Sequence, residues 1–204
     1  MNSILHKHAG EVARNIRNHS YEQNDSGILV PSMGVFIGGA LKATNYGDGS
    51  VQEMAIDANT LLNEGLNHIL NVTLPPAGGY AQITQWYIAP FSGNYTPDKA
   101  ALTAATFPAS ATEFEDYTNA TRPTLTIAAA TSTQATGNSG AEAQYVMGAG
   151  GPFNIYGFVI VSSSAKGAVT GKALAGVRLD NPMLNLVTDY KAGAEYVITA
   201  ADAG

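Results

Sequence analysis

Apolar residues in this chain come mostly in short runs, rich in β-branched and aromatic side chains and separated by Gly, Pro, Asn and Ser. Such runs read as strands bounded by turns. The pattern predicts strands over 81–91, 124–129, 141–147, 155–162, 172–179, 183–189 and 195–199. In the last of these, Tyr196 and Ile198 share one face and Val197 takes the other, the period-two alternation of a half-buried strand. MGVFIGGALKA (33–43) is a further strand candidate, and NYGDGS (45–50) is a turn.

Only two stretches carry a helical period. SILHKHAGEVARNIRNH (3–19) places Ile4, Leu5, Val12 and Ile16 on one face and Arg14 and Arg17 on another. DANTLLNEGLNHIL (57–70) has an apolar stripe of Leu61, Leu62, Leu66, Ile69 and Leu70, with Asn59 or Thr60 as its cap. PPAGG (75–79) breaks the chain after it, and SYEQNDSGILVPS (20–32) has the composition of a linker. Strands and helices do not alternate, so a parallel doubly wound sheet is disfavoured. The expected fold is all-β: an antiparallel β-sandwich or jelly roll with one short interior helix and an N-terminal helical arm. The arm and linker take residues 1–32 and the β domain 33–204.

One region interrupts the pattern. In ITQWYIAPFSGNYTPDKAALTAATFPASATEFEDYTNATRP (83–123) an aromatic strand leads into a long segment of Thr, Ala, Ser, Tyr and Pro with few charges. Long ordered loops carry function more often than short ones. This one lacks the residues that do chemistry, so it is expected to be a contact surface: Trp86 in the core, and 94–122 lying against other protein. ATSTQATGNSGAEA (130–143) is low in apolar residues and reads as a long exposed hairpin loop.

Composition adds three constraints. Charged residues are only 13% of the 204, about half the usual share. Surface polarity then falls to Ser, Thr, Asn, Gln and backbone, as suits a surface covered by neighbours. Residues 1–20 carry a net +2 and residues 21–204 a net −8, so the body is a poor nucleic-acid binder. There is no cysteine, hence no disulfide, thiolate nucleophile or Cys-ligated metal. The first residues have no apolar core of a signal peptide, and no apolar run is long enough to span a membrane, so synthesis in a cytosol is expected.

The search for chemistry returns little. Histidine stands only at 6, 8, 19 and 68, and no Gly-X-Ser-X-Gly elbow occurs, so a Ser/His/Asp site is not expected. His6 and His8 point apart on a helix. His68 reads as a half-buried helix histidine. Glu113, Glu115 and Asp116 in TEFEDY lack the alternating pattern of a Ca²⁺ loop and read as a solvated acidic turn, with a structural cation as the minority option. Gly167-Ala-Val-Thr-Gly171-Lys172-Ala173 is too short between its glycines for a phosphate loop and has Ala in place of Ser or Thr; it reads as a hairpin turn. No cofactor is expected. Interface candidates are Ile4, Leu5, Val12, Arg14, Ile16 and Arg17 of the arm, and Tyr95, Phe107, Phe114 and Tyr117 of the loop.

WYIAPFSGNYTP (86–97), AATFPASATEFEDYTNATRP (104–123), IYGFVIVSSSAKGAVTGKALAGVRLDNP (155–182) and EYVITAADA (195–203), in that order, resemble a group of accessory virion proteins of tailed bacteriophages. The resemblance spans roughly 61–203 and implies a structural protein that decorates or cements a capsid lattice, or sits at the neck or tail. Its implied partners are the major capsid protein and further copies of itself, as a dimer or trimer, with no nucleic acid and no membrane. Its implied location is the capsid exterior. It brings no catalytic residues with it.

Overall fold

The computed structural model describes residues 21–23, 29–31, 35–47, 49–130 and 135–202. They fall into two compact units, one of Met1–Phe36 with Ala200–Gly204 and one of Ile37–Thr199. In the smaller unit, the segment expected as a linker holds two short antiparallel strands, β1 (Tyr21–Gln23) and β2 (Leu29–Pro31), with Glu22 opposite Val30. The expected arm helix lies outside the described residues, and so do Ile4, Leu5, Val12, Arg14, Ile16 and Arg17.

The larger unit is all-β in class. Its strands are β3 (Val35–Gly47), β4 (Glu53–Ala58), β5 (Thr60–Leu61), β6 (Trp86–Phe91), β7 (Thr124–Leu125), β8 (Ala135–Gly137), β9 (Ala143–Val146), β10 (Phe153–Val161), β11 (Ala173–Leu186) and β12 (Lys191–Asp202). They form two five-stranded sheets. One runs β5-β11-β10-β6-β7; the other runs β4-β3-β12-β8, with β9 also paired to β12. Every described register is antiparallel.

One core cluster draws side chains from both sheets. Ile88, Phe158, Ile160, Val177 and Leu179 come from the first, and Leu41, Ala43, Tyr145, Ala194 and Tyr196 from the second. Trp86 belongs to this cluster at 9% exposure. A second cluster, on the other side of β6 and β10, gathers Ala89, Phe91, Val159 and Val161 with Leu102, Ala104, Phe107 and Ala111. Thus β6 and β10 are buried on both faces, as their near-continuous apolar runs require.

Several expected elements are corrected. The interior helix, α1, spans Asn63–Thr73, starting later than the stripe suggested. Thr60 and Leu61 instead pair as β5 with Gly176 and Ala175. The N-cap residue is Leu62, in extended conformation and without a side-chain cap bond. Gly65, buried in α1, lets the helix approach β11: a Cβ there would lie 2.4 Å from the Leu174 carbonyl oxygen. The strands expected at 172–179 and 183–189 are one strand, β11, whose register against β10 shifts between the Gly157–Arg178 and Ile155–Met183 pairs. Pro182 falls in that irregular stretch, where a missing ladder N–H is tolerated. Residues 81–85 are not strand, and the strand expected at 124–129 ends at Leu125.

The segment 130–143 is not simply an exposed hairpin. Asn138 is buried; its Nδ2 donates to the Ala141 and Ala194 carbonyls at 3.0 and 3.2 Å, and its Oδ1 accepts from Tyr196 N–H at 2.5 Å. Among the described residues, no helix is long and apolar enough to cross a membrane.

Candidate functional site

The long loop between β6 and β7 closes on its own chain. Ser92 and Gly93 N–H donate to the Thr112 and Ala111 carbonyls, and Phe114 N–H donates to Pro90 O at 2.9 Å. A single helical turn, α2 (Phe107–Ser110), carries Pro108 near its start and drops the Phe107 ring into the second core cluster. Glu64 of α1 ties the loop to β11: its Oε2 accepts from the N–H groups of Ala104 and Ala173 at 2.9 and 2.8 Å, and Lys172 Nζ lies 3.3 Å from Oε1.

At the loop's centre lies a buried ion pair. Arg122 Nε and Nη2 donate to the two oxygens of Glu113 at 2.7 and 2.6 Å, and both side chains are 1% exposed. Two further donors are used as well: Nη1 reaches Ser163 O at 2.9 Å and Nη2 reaches Ala168 O at 3.3 Å. Gly167 N–H adds a third donor to Glu113, at 3.0 Å. The guanidinium carbon sits 5.8 Å from the centre of the Phe107 ring. Beside it, Lys166 Nζ donates to the Glu115 and Tyr117 carbonyls at 2.8 and 2.7 Å and lies 3.6 Å from the centre of the Tyr117 ring. Burial pushes the Lys166 pKa down and the Tyr117 pKa up, the latter with help from the neighbouring Glu113 charge. A buried pair is tolerable when its geometry is bidentate and its other hydrogen-bonding groups are satisfied, as here.

This brace changes the reading of several residues. Phe107, Phe114 and Tyr117, expected as interface anchors, are buried in this chain's own core and present no surface to a partner. Tyr95 is half-buried against the second cluster. Glu113 is not part of a solvated turn; it pairs with a guanidinium and not with a second carboxylate. Among the described residues no group of three or more acidic or histidine side chains is placed to hold a metal. The turn Gly167–Gly171 connects β10 to β11, with φ of 67° and 95° at its two glycines, and its Gly167 N–H and Lys172 ammonium are both committed to glutamates. Sequence reasoning did not find the Glu113–Arg122 pair. Its signal was present, as opposite charges nine residues apart in an aromatic loop otherwise poor in charge.

Two features remain open. The first is the outer face of the second sheet. Leu41 and Ala43 of β3 point into the core, so Lys42, Thr44 and Tyr46 point away. Opposite them on β4 stand Ile56 and Met54, which are 69% and 52% exposed. Lys42 pairs with Glu195 at 2.7 Å and Tyr46 donates to Glu142 at 2.7 Å, so two polar pairs flank this apolar strip. The Glu195 hydrogen bond raises the Lys42 pKa, and Lys42 in turn lowers that of Glu195. Among the described residues β4 pairs only with β3, which leaves one row of its backbone groups facing outward.

The second open feature is a cleft of about 220 Å³ beside α1, walled by His68, Ile69, Val72, Ile83, Trp86 and Leu174. His68 is buried between Tyr80 and Trp86, with ring centres 5.5 and 5.6 Å away. Leu70 and Leu74, on the same flank, are exposed, although Leu70 belongs to the stripe expected to face the core. A second cleft of equal volume lies along Thr84, Gln85 and Thr124–Ile127, on the far side of Trp86.

Comparison with protein-family models, curated proteins and solved structures returns no match to this chain.

Proposed function

We propose that this protein is a structural component of a tailed-phage virion that decorates the capsid exterior and cements it by bridging neighbouring capsid subunits. The observation that carries the reading is the convergence of the resembling segments. WYIAPF is β6; TEFE and ATRP supply Glu113 and Arg122; SSSAKG supplies the Ser163 carbonyl, Lys166 and the Gly167 N–H. The motifs that mark the group are therefore those that lock one loop onto a β scaffold, and such a scaffold suits a load-bearing part. In this reading the two sheets form an antiparallel sandwich or jelly roll, and residues 1–20 form a helical arm that docks on the shell or on a neighbouring copy.

The bridging contact then falls to surfaces that the brace leaves free. Met54 and Ile56 on the β4 edge offer an apolar centre with a polar rim, the usual anatomy of an interface. Each stable contact of this kind buries about 800 Å² per partner. Lattice dissociation must then also break these contacts, which is how cement proteins raise particle stability. The partners are the major capsid protein and further copies of this chain, as a dimer or trimer, without nucleic acid or membrane.

The test is to add the purified protein to capsids that lack it and to measure occupancy and the temperature of genome release. The proposal expects one copy per repeating lattice site and a higher release temperature. Stoichiometry confined to a single vertex or to the tail would favour a neck, collar or tail-fibre component with a receptor- or glycan-binding role instead. Removing residues 1–20 without loss of occupancy would remove the arm from the account.

A further inference from the structure

The cleft beside α1 has a polar group that the described residues leave unused. His68 is 6% exposed. Its Nε2 accepts the Ile83 N–H at 3.4 Å, so in the neutral ring the proton sits on Nδ1. That Nδ1 is buried and has no hydrogen-bond partner among the described residues. Burial, with a smaller push from Lys172, lowers the pKa of the ring and keeps it neutral near pH 7. A neutral N–H donor enclosed by Ile69, Ile83, Trp86 and Leu174 is a destabilising arrangement unless something accepts from it.

The size of the cleft limits what that something can be. An apolar cavity of about 150 Å³ accepts a benzene ring, so the roughly 220 Å³ here has room for one ring and a short substituent. The walls are mainly aliphatic, with the Trp86 indole on one side, and they favour an uncharged occupant. His68 lines the cleft, and with Nε2 held by the Ile83 N–H the ring's other nitrogen, Nδ1, is the polar atom left for an occupant.

We propose that this cleft is a binding site for a small neutral molecule, one ring in size, mainly apolar, with a single hydrogen-bond acceptor that takes the Nδ1–H of His68. The role is independent of the virion reading, since every wall residue belongs to the Ile37–Thr199 unit.

Two shape-matched probes separate the acceptor from the apolar fit: acetophenone, which has a carbonyl, and ethylbenzene, which has none. Trp86 is the chain's single tryptophan, so its indole N–H gives one unambiguous signal in a ¹⁵N-labelled sample. Acetophenone is expected to shift that signal saturably and to bind about 2- to 10-fold tighter than ethylbenzene, the worth of one hydrogen bond. His68→Leu is expected to bring the two affinities together, and Val72→Trp, which fills the cleft, to abolish both. No saturable shift with either probe, or equal affinities in the unaltered protein, overturns the proposal. The comparison of probes on the unaltered protein stands even if neither variant folds.

Discussion

The loop that links β6 to β7 and the flank of α1 are the two long departures from the sheets, and they end in opposite states. The loop turns its aromatic residues inward and places a bidentate ion pair at its centre, with two backbone carbonyls from the β10–β11 turn accepting further guanidinium N–H groups. The α1 flank keeps Leu70 and Leu74 in solvent, leaves a cleft beside Trp86 and buries a histidine nitrogen without a partner. Apolar content alone does not decide which segment closes. In the loop each carboxylate oxygen and guanidinium nitrogen of the central pair has a partner, and the Tyr117 hydroxyl beside it is packed into the core although it has no partner among the described residues; on the flank the unpartnered atom, His68 Nδ1, belongs to a ring that borders an open cleft.

The largest effect expected from breaking this contrast is at Arg122. Arg122→Ala leaves Glu113 buried and unpaired and is expected to cost about 3–5 kcal/mol in denaturant unfolding. The double change Arg122→Met with Glu113→Leu should recover most of that loss, because two apolar groups of similar size remove both charges together. Equal losses in the single and double variants would show that the brace matters only as packing. Next is Gly65→Ala, with an expected loss of about 1–3 kcal/mol from overpacking, since the added methyl meets the backbone of Leu174 and not a flexible side chain.

A smaller effect is expected with pH. Burial lowers the His68 pKa, so at pH 7 the ring is mostly neutral in both folded and unfolded chains and contributes little pH dependence. Below about pH 6.5 the unfolded chain takes up a proton that the folded chain resists, so stability should fall as pH drops through that value. His68→Leu should remove this component of the slope, as measured by urea unfolding between pH 7 and pH 5. The smallest effect on stability is expected at Ile56→Ser on the β4 edge, within about 0.5 kcal/mol of the unaltered protein. Its consequence should appear in assembly, as lower capsid occupancy. Full occupancy with Ile56→Ser and Met54→Ser together would take the β4 face out of the proposed contact.

The fold was legible where local pattern and tertiary pairing agree. Phe153–Val161 and Ala143–Val146 stand close to where their β-branched and aromatic residues placed them. Legibility ended where a distant segment decided the outcome. Thr60 fits a helix cap and Leu61 the helical stripe, yet they hydrogen-bond as β5 to a strand more than a hundred residues away. Asn181-Pro182 looks like a strand end, yet β11 carries it through an irregular register. Asn138 sits in a polar run typical of a loop, yet its side chain bridges to β12. At the loop, the sequence exposed the right segment for attention but not its direction: Phe114 and Tyr117 face into the first core cluster and Phe107 into the second.

Native-state hydrogen exchange on the isolated protein tests the central claim most directly. If the loop is held by its own brace, the amides of Gly93, Phe114, Tyr117 and Thr118, all hydrogen-bonded to carbonyls within the chain, should exchange only through global unfolding, at rates like those of β6 and β10. Exchange of these amides at rates typical of a solvated loop, becoming slow only on assembled particles, would contradict the account and return this segment to the role of a contact surface ordered by its partner.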